Sequence, residues 1–291
     1  MAFTLIVVCI IVFYPNIKPA ISLARSEPLV TSDAWYSALY WLRDNTSAPF
    51  NDTSFYYTGY EPPPSGQDYN YPPSAYGVMA WWDFGHMITR LAHRIPVCNP
   101  FQQGASEVSR FLTAQDAVSA AKTMDNLGCK YVVVDYGTAL SMFISVVGFG
   151  DKNIQDFYEG YYRMVDGKLT SVTFFYPEYY FSAAVRLYNF DGQGVTALKS
   201  VVISYQDKVS TEGTHYKEIT NAVYFPTYAG AKAYVAIQTS GNYQIGSFNP
   251  FISPVPLEQL SQYQLIYSSN TVVDYAEVKN IPVIKIFEYQ Q

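Results

Sequence analysis

The 291-residue sequence predicts an α+β, mixed fold: a helix-rich α/β central core, followed by a smaller antiparallel β sandwich or barrel. Three observations predict it. First, residues recur at helical spacing through Asp116, Ala117, Ala120, Ala121, Met124 and Leu127. Gly128 then stands where a helix takes a C-terminal cap, and Tyr131-Val132-Val133-Val134 follows as a strand buried on both faces. Helix, glycine and Val-rich strand make half of an α/β unit. Second, from about Val172 the texture changes to short β-rich runs separated by Gly-containing turns. Third, hydrophobic residues are 49% and charged residues only 14%, a ratio that fills a core and argues against a disordered chain.

The elements follow in chain order. Ala2 to Tyr14 is uncharged and almost wholly apolar until Pro15 interrupts it. A bilayer span needs about 20 such residues. The run also lacks the basic start and the cleavage site of a secretory signal. Residues 1–20 read as the outer end of a transmembrane helix, with a poor signal peptide as the other reading; both place the remainder outside the cytoplasm. Residues 21–190 then form the mixed core, and residues 191–291 a peripheral β-rich domain. Ser32 or Asp33 caps a helix through Ala34, Leu39 and Leu42 to Asn45. Residues 46–73 form a long polar loop, blocked from regular structure by Pro62-Pro63-Pro64 and Pro72-Pro73. Two glycosylation sequons, Asn45-Thr46-Ser47 and Asn51-Asp52-Thr53, suit an exposed segment there. Residues 76–80 read as a short strand and 85–93 as a helix. Residues 114–127 are the periodic helix described above, and a further helix runs from Asp135 toward Val147. Beyond it, the runs 172–176, 183–188, 201–205, 233–238, 264–268 and 283–289 read as strands.

Composition narrows the partners. A net charge of −6, with no basic stripe interleaved with aromatics, speaks against nucleic acid. The 28 Tyr and 18 Phe suit an extracellular or membrane-adjacent surface, although half-buried sheet tyrosines account for most of them. Of three cysteines, Cys9 lies in the apolar run. Cys98 and Cys129 either pair or stay free, and no Cys/His metal spacing occurs. No GxSxG, HExxH, Walker or GxGxxG pattern is present, and no two carboxylates announce a glycosidase pair.

The candidate chemistry lies in Trp81-Trp82-Asp83-Phe84-Gly85. Each indole offers one N–H donor, and an ionised aspartate only accepts. Together they can bracket one hydroxyl, which both donates and accepts. By themselves the tryptophans are more often core or interface aromatics than a binding site, and Asp83 can simply cap the following helix. The flanks add weight. Tyr76-Gly77-Val78 precedes the motif. Gly85-His86, His93-Arg94-Ile95-Pro96 and Asn99-Pro100-Phe101-Gln102-Gln103 follow it. His86, His93 and Arg94 themselves read as packed structural groups, with Arg94 paired to a carboxylate. With Trp35-Tyr36, Trp41-Leu42-Arg43 and the closing Val283-Ile284-Lys285-Ile286-Phe287-Glu288-Tyr289, this order resembles the extracytoplasmic C-terminal domain of the archaeal-type (AglB-like) oligosaccharyltransferase catalytic subunit. That family carries Trp-Trp-Asp-Tyr-Gly, so Phe84 stands where Tyr is usual. Its second motif, Asp-x-x-Lys-x-x-x-Met or Ile, falls on Asp135 to Met142, with Thr138 in place of Lys. Helical spacing of three and seven would put Asp135, Thr138 and Met142 on one face.

The resemblance implies recognition of the Ser/Thr of an Asn-X-Ser/Thr acceptor by Trp81, Trp82, Asp83 and Met142, with Asp135, Thr138, Phe84 and Gly85 in support. It implies no catalytic residue and no metal ligand in this stretch. A divalent metal (Mg or Mn) and the lipid-linked oligosaccharide belong to a multispan membrane portion, this domain facing the outside of the cell membrane. The partners implied are the acceptor polypeptide, the lipid-linked sugar and the membrane, and no sugar transfer is expected of this stretch alone. A cell-surface carbohydrate-binding or adhesion module and an independent glycoside hydrolase remain the rival readings.

Overall fold

The computed structural model describes residues 2–25, 32–50, 52–57, 59, 63–67 and 69–290. The first helix, α1 (Ala2–Arg25), runs on through Pro15 and Pro19, and Ile11, Phe13, Tyr14, Ile17 and Ile21 on it are exposed. Among the described residues no helix is long and apolar enough to cross a membrane. Ser32 starts α2 (Asp33–Asn45): its hydroxyl accepts the Trp35 N–H, and Ala34, Trp35, Ala38, Leu39 and Leu42 form the buried face.

Arg94 closes the far end of α2. Its guanidinium donates to the carbonyls of Arg43 and Thr46 at 2.9 and 2.7 Å. The residue expected to pair with a carboxylate therefore caps a helix, because the last carbonyls of α2 are a buried acceptor set that needs donors. Asn45 lies exposed in the last turn of α2, with its amide donating to Trp41 O. Asn51, the acceptor of the second sequon, lies outside the described residues. The polar loop is less irregular than expected: a 3-10 turn, Thr53–Tyr57, folds over buried Phe50, whose ring stacks on Phe55 at 3.7 Å.

Next come β1 (Gly77–Met79), a 3-10 turn at Trp82–Phe84, α3 (Gly85–Met87) and a π turn (Ile88–Ala92) that His93 ends in a left-handed conformation (φ 52°). After β2 (Ile95–Pro96), two helices are found where one was expected: α4 (Ala105–Leu112) and α5 (Ala117–Asn126). Then follow β3 (Cys129–Asp135), α6 (Tyr136–Ala139), α7 (Phe143–Gly148), β4 (Tyr158–Val165), β5 (Lys168–Phe175), α8 (Pro177–Phe181) and α9 (Ala183–Phe190). The remainder is β6 (Ser200–Val209), β7 (His215–Phe225), α10 (Tyr228–Ala236), β8 (Asn242–Gly246), β9 (Tyr263–Ser268), β10 (Val272–Tyr275), β11 (Val278–Pro282) and β12 (Ile284–Tyr289).

Two expected strands are helices. Residues 183–188 lie in α9, whose residues from Ala183 to Tyr188 are all buried, so the helix shows no polar face to read. Residues 233–238 fall at the end of α10, which Thr227 starts by accepting the Gly230 N–H at 3.1 Å.

Three sheets result, in a mixed α/β architecture. The first has the order β2-β1-β3-β12-β9, with β2, β1 and β3 parallel and β12 and β9 antiparallel. The second, β5-β4-β7-β6-β8, is antiparallel except where β4 meets β7, and an antiparallel bridge between Phe175 of β5 and Ser247 just after β8 joins its two outer strands. The third is the β10–β11 hairpin. Both large sheets draw strands from either side of residue 190: β12 and β9 complete the first, and β4 and β5 the second. Long-range pairing leaves no local signal, which is why a boundary read from texture does not separate them. The main core lies around the first sheet, and a smaller cluster of Tyr161, Phe174, Tyr176, Val201 and Ile203 lies under the second.

Candidate functional site

Parallel β1 and β3 end side by side, and both continue into short helical turns on the same edge of the sheet. The carboxyl ends of parallel strands are where open α/β sheets form their crevices. Here the two ends deliver Trp81-Trp82-Asp83 from β1 and Asp135 from β3. Sequence order alone did not require those two groups to meet.

The two tryptophans differ in role. Trp81 is buried (1% exposed) and packs edge-on against Phe149 at 5.6 Å. Trp82 is half-buried, 6.0 Å from Trp81 between ring centres, and its indole nitrogen is shut off from solvent without a hydrogen-bond partner among the described residues. Asp83 beside it is also half-buried. Burial, and then the charge of Asp135, raise its carboxyl above the usual carboxylate range. Thus one half-buried residue offers a spare donor and its neighbour an acceptor.

Phe84 and Gly85 hold the turn. Phe84 stacks on Trp35 of α2, ring centres 3.7 Å apart and planes 18° off parallel. The Trp35 indole N–H donates to Asp135 Oδ2 at 3.2 Å, while Asp135 Oδ1 accepts the Thr138 N–H at 2.8 Å. Asp135 is fully buried, and burial raises its carboxyl despite these donors. Trp35 therefore joins α2, the motif turn and the end of β3. A Cβ on Gly85 would stand 2.1 Å from Cys98 O and 2.7 Å from Asn99 Cα, so only glycine fits.

The helix expected from Asp135 toward Val147 is broken. The backbone leaves α6 at Leu140 (φ −121°, ψ −83°) and α7 starts at Phe143. Gly137 and Thr138 are weak helix formers, which limits α6 to a single turn. Asp135, Thr138 and Met142 consequently do not share one helix face. Asp135 caps α6, Thr138 is buried at 2% exposure behind it, and Met142 precedes α7. Met142 returns to the site differently: its N–H donates to Gly137 O at 2.8 Å. A Cβ on Gly137 would meet Met142 Cε at 2.7 Å and Asp135 Oδ2 at 3.6 Å. The methionine methyl and the aspartate thus border the same glycine.

Neighbouring groups are structural. Cys98 and Cys129 are free and buried, and burial pushes both thiols up to about 12. Cys98 Sγ donates to Ala80 O at 3.0 Å. His93 stacks on Tyr56 at 4.8 Å, whereas His86, expected to be packed, is exposed beside Phe101. Sequence reading missed Trp35 and Phe149. Trp35 carried a signal, a tryptophan on the buried face of α2, but its partner lies 100 residues away.

Comparison with known proteins bears directly on this arrangement. A family model for the AglB core domain matches residues 32–139, which include α2, the tryptophan motif and β3. The dolichyl-monophosphooligosaccharide–protein glycotransferase AglB of Haloferax volcanii is 34% identical over 271 residues, covering 83% of this chain. These matches support an AglB-like oligosaccharyltransferase C-terminal domain. Its fold matches two solved structures of the Archaeoglobus fulgidus oligosaccharyltransferase. One, with Zn and sulfate, gives a TM-score of 0.54 at 21% identity over 89% of this chain and 35% of the other. The second was tethered to an acceptor peptide containing the NVT sequon; it gives 0.53 at 22% identity over 89% and 33%. The AglB-like chain described here spans about a quarter of the length of its Haloferax relative.

Proposed function

We propose that this chain is the acceptor-recognition domain of an oligosaccharyltransferase, a glycosyltransferase that moves a lipid-linked oligosaccharide onto the asparagine of Asn-X-Ser/Thr. One observation carries the reading: the Trp82 indole N–H, without a partner among the described residues, belongs to the residue next to half-buried Asp83. In the proposed complex the acceptor hydroxyl accepts from Trp82 and donates to Asp83, and Met142 packs on a threonine methyl. Trp81, Phe84 and Gly85 shape the turn, and Asp135 and Thr138 hold it against α2. A site built to pair a hydroxyl rejects analogues that lack it, because its own polar groups are left unpaired. Holding the hydroxyl also sets the reach of the asparagine two residues earlier. In support, the Haloferax relative is named a dolichyl-monophosphooligosaccharide–protein glycotransferase, and a solved Archaeoglobus relative carries an NVT acceptor peptide.

The transfer step is assigned to residues outside this chain. Among the described residues no three His, Cys, Asp or Glu converge to hold a metal. We propose that a divalent metal, Mg or Mn, and the sugar donor bind a membrane part of the full-length protein, with this domain on the outer side of the cell membrane. This chain alone transfers no sugar in this reading, and product formed by it from donor lipid and peptide would refute that assignment.

Crosslinking with an Asn-X-Thr peptide tests the recognition. Capture should fall by about tenfold or more when the peptide threonine becomes valine, and likewise in Asp83→Ala. Trp82→Phe should weaken capture while leaving the melting temperature nearly unchanged. Equal capture of the Thr and Val peptides would sink the proposal.

A further inference from the structure

A cavity of about 400 Å³ lies between the second sheet and the β10–β11 hairpin. Its lining brings together Arg163 of β4, Lys199 ahead of β6, Tyr224 of β7, Phe248 and Asn249 after β8, and Tyr275 at the hairpin turn. Its size falls within the usual range for small-molecule sites, about 300–1,000 Å³.

Two cations in this lining lack counter-ions. Among the described residues, neither Arg163 nor Lys199 forms an ion pair. Arg163 Nε is shut off from solvent and has no hydrogen-bond partner. The guanidinium lies 5.2 Å from the Phe248 ring centre, and Lys199 Nζ 5.0 Å from that of Tyr224. Ring faces hold cations in place without neutralising them. A buried donor left unpaired costs stability, so an acceptor entering here gains more than it would at an open surface. Glu277 is the one carboxylate in the lining, and it is exposed, leaving the set with one net positive charge.

We infer that this cavity is a binding site for a carboxylated sugar, with the carboxylate on Arg163 and Lys199, the apolar ring face on Tyr224, Phe248 or Tyr275, and hydroxyls on the Asn249 side. An inorganic anion would use the two cations and leave the aromatic lining unused. A neutral sugar would leave the cations unpaired. Only a ligand bearing both an anionic group and a flat apolar face uses all of the lining. The site shares no residue with the tryptophan motif, so it stands or falls separately from the acceptor reading.

Isothermal titration calorimetry of the 291-residue chain in detergent, with an oligogalacturonate, the matching neutral oligogalactoside and inorganic sulfate, tests the assignment. The uronate should bind at least about tenfold more tightly than either control. Its affinity should weaken as salt rises, through screening of the exposed Lys199. Arg163→Gln should abolish that preference. Lys199→Met, at an exposed position, should reduce affinity several-fold with the melting temperature unchanged, and Asp83→Ala should leave binding intact. Absence of uronate binding, sulfate binding as tight as uronate, or uronate binding unchanged by both Arg163→Gln and Lys199→Met would overturn the assignment.

Discussion

Asp83 and Gly85 show how much of this site is decided at single residues. Gly85 is required by space: the Cys98 carbonyl oxygen sits 2.1 Å from where a Cβ would be, and both are backbone. Gly85→Ala should therefore cost about 3 kcal/mol or more and be seen as a lowered chemical midpoint of unfolding. Asp83 acts through charge. Its carboxyl is raised first by burial and then by Asp135, so it binds protons more readily folded than unfolded. The stability it contributes is fully present below the unfolded value of 3.8 and is lost as pH rises through the higher folded value. Asp83→Asn should accordingly gain melting temperature relative to the wild type between about pH 4 and pH 7, and no difference across that range would contradict this reading. Peptide capture should run the opposite way in the wild type, because protonation removes the acceptor: it should fall as pH drops, with a midpoint above 3.8.

At the scale of elements, capping and short-range spacing explain which predictions hold. Asp116 accepts the Ser119 N–H at 2.7 Å and its hydroxyl at 2.8 Å at the start of α5, and these bonds lower its carboxyl. Asp116→Ala should cost about 1 kcal/mol in thermal unfolding at neutral pH. The difference should shrink as pH falls through the lowered value, because protonation weakens the cap in the wild type. The Ser32 cap of α2 was legible in the sequence, whereas Asp116 reads there as part of the helix rather than as its cap. Failures have two causes. A helix buried all round, such as α9, gives no alternation to distinguish it from a strand. And a seven-residue spacing cannot reveal a break: Asp135 to Met142 runs through α6 and the turn at Leu140 that ends before α7, so the expected helical face does not form, and Met142 and Asp135 instead border the same glycine, Gly137.

At the scale of the whole molecule, β12 is the keystone. It lies between β3 and β9 in the first sheet, with Ile284, Ile286 and Phe287 fully buried. Lys285 on the same strand donates to Asp191 Oδ1 at 2.6 Å and Tyr188 O at 2.7 Å, tying the strand to the end of α9. Removing residues 284–291 should leave β3 without its partner and abolish cooperative unfolding, measured by circular dichroism. A truncated chain that unfolds with the wild-type midpoint would show the strand to be dispensable. The sequence by itself determined the composition of the core, the cap of α2, the Val-rich strand β3, and the presence of paired indoles beside a carboxylate, since all of these depend on residues within a few positions of one another. Tertiary structure alone decided that Trp81 is buried while the Trp82 indole N–H is left without a partner among the described residues, that Trp35 reaches Asp135, and that the final strand completes the first sheet. Most of those outcomes rest on contacts between residues far apart in sequence, such as Trp35 with Asp135, 100 positions away, and β12 with β3, whose formation depends on how the whole chain closes its loops.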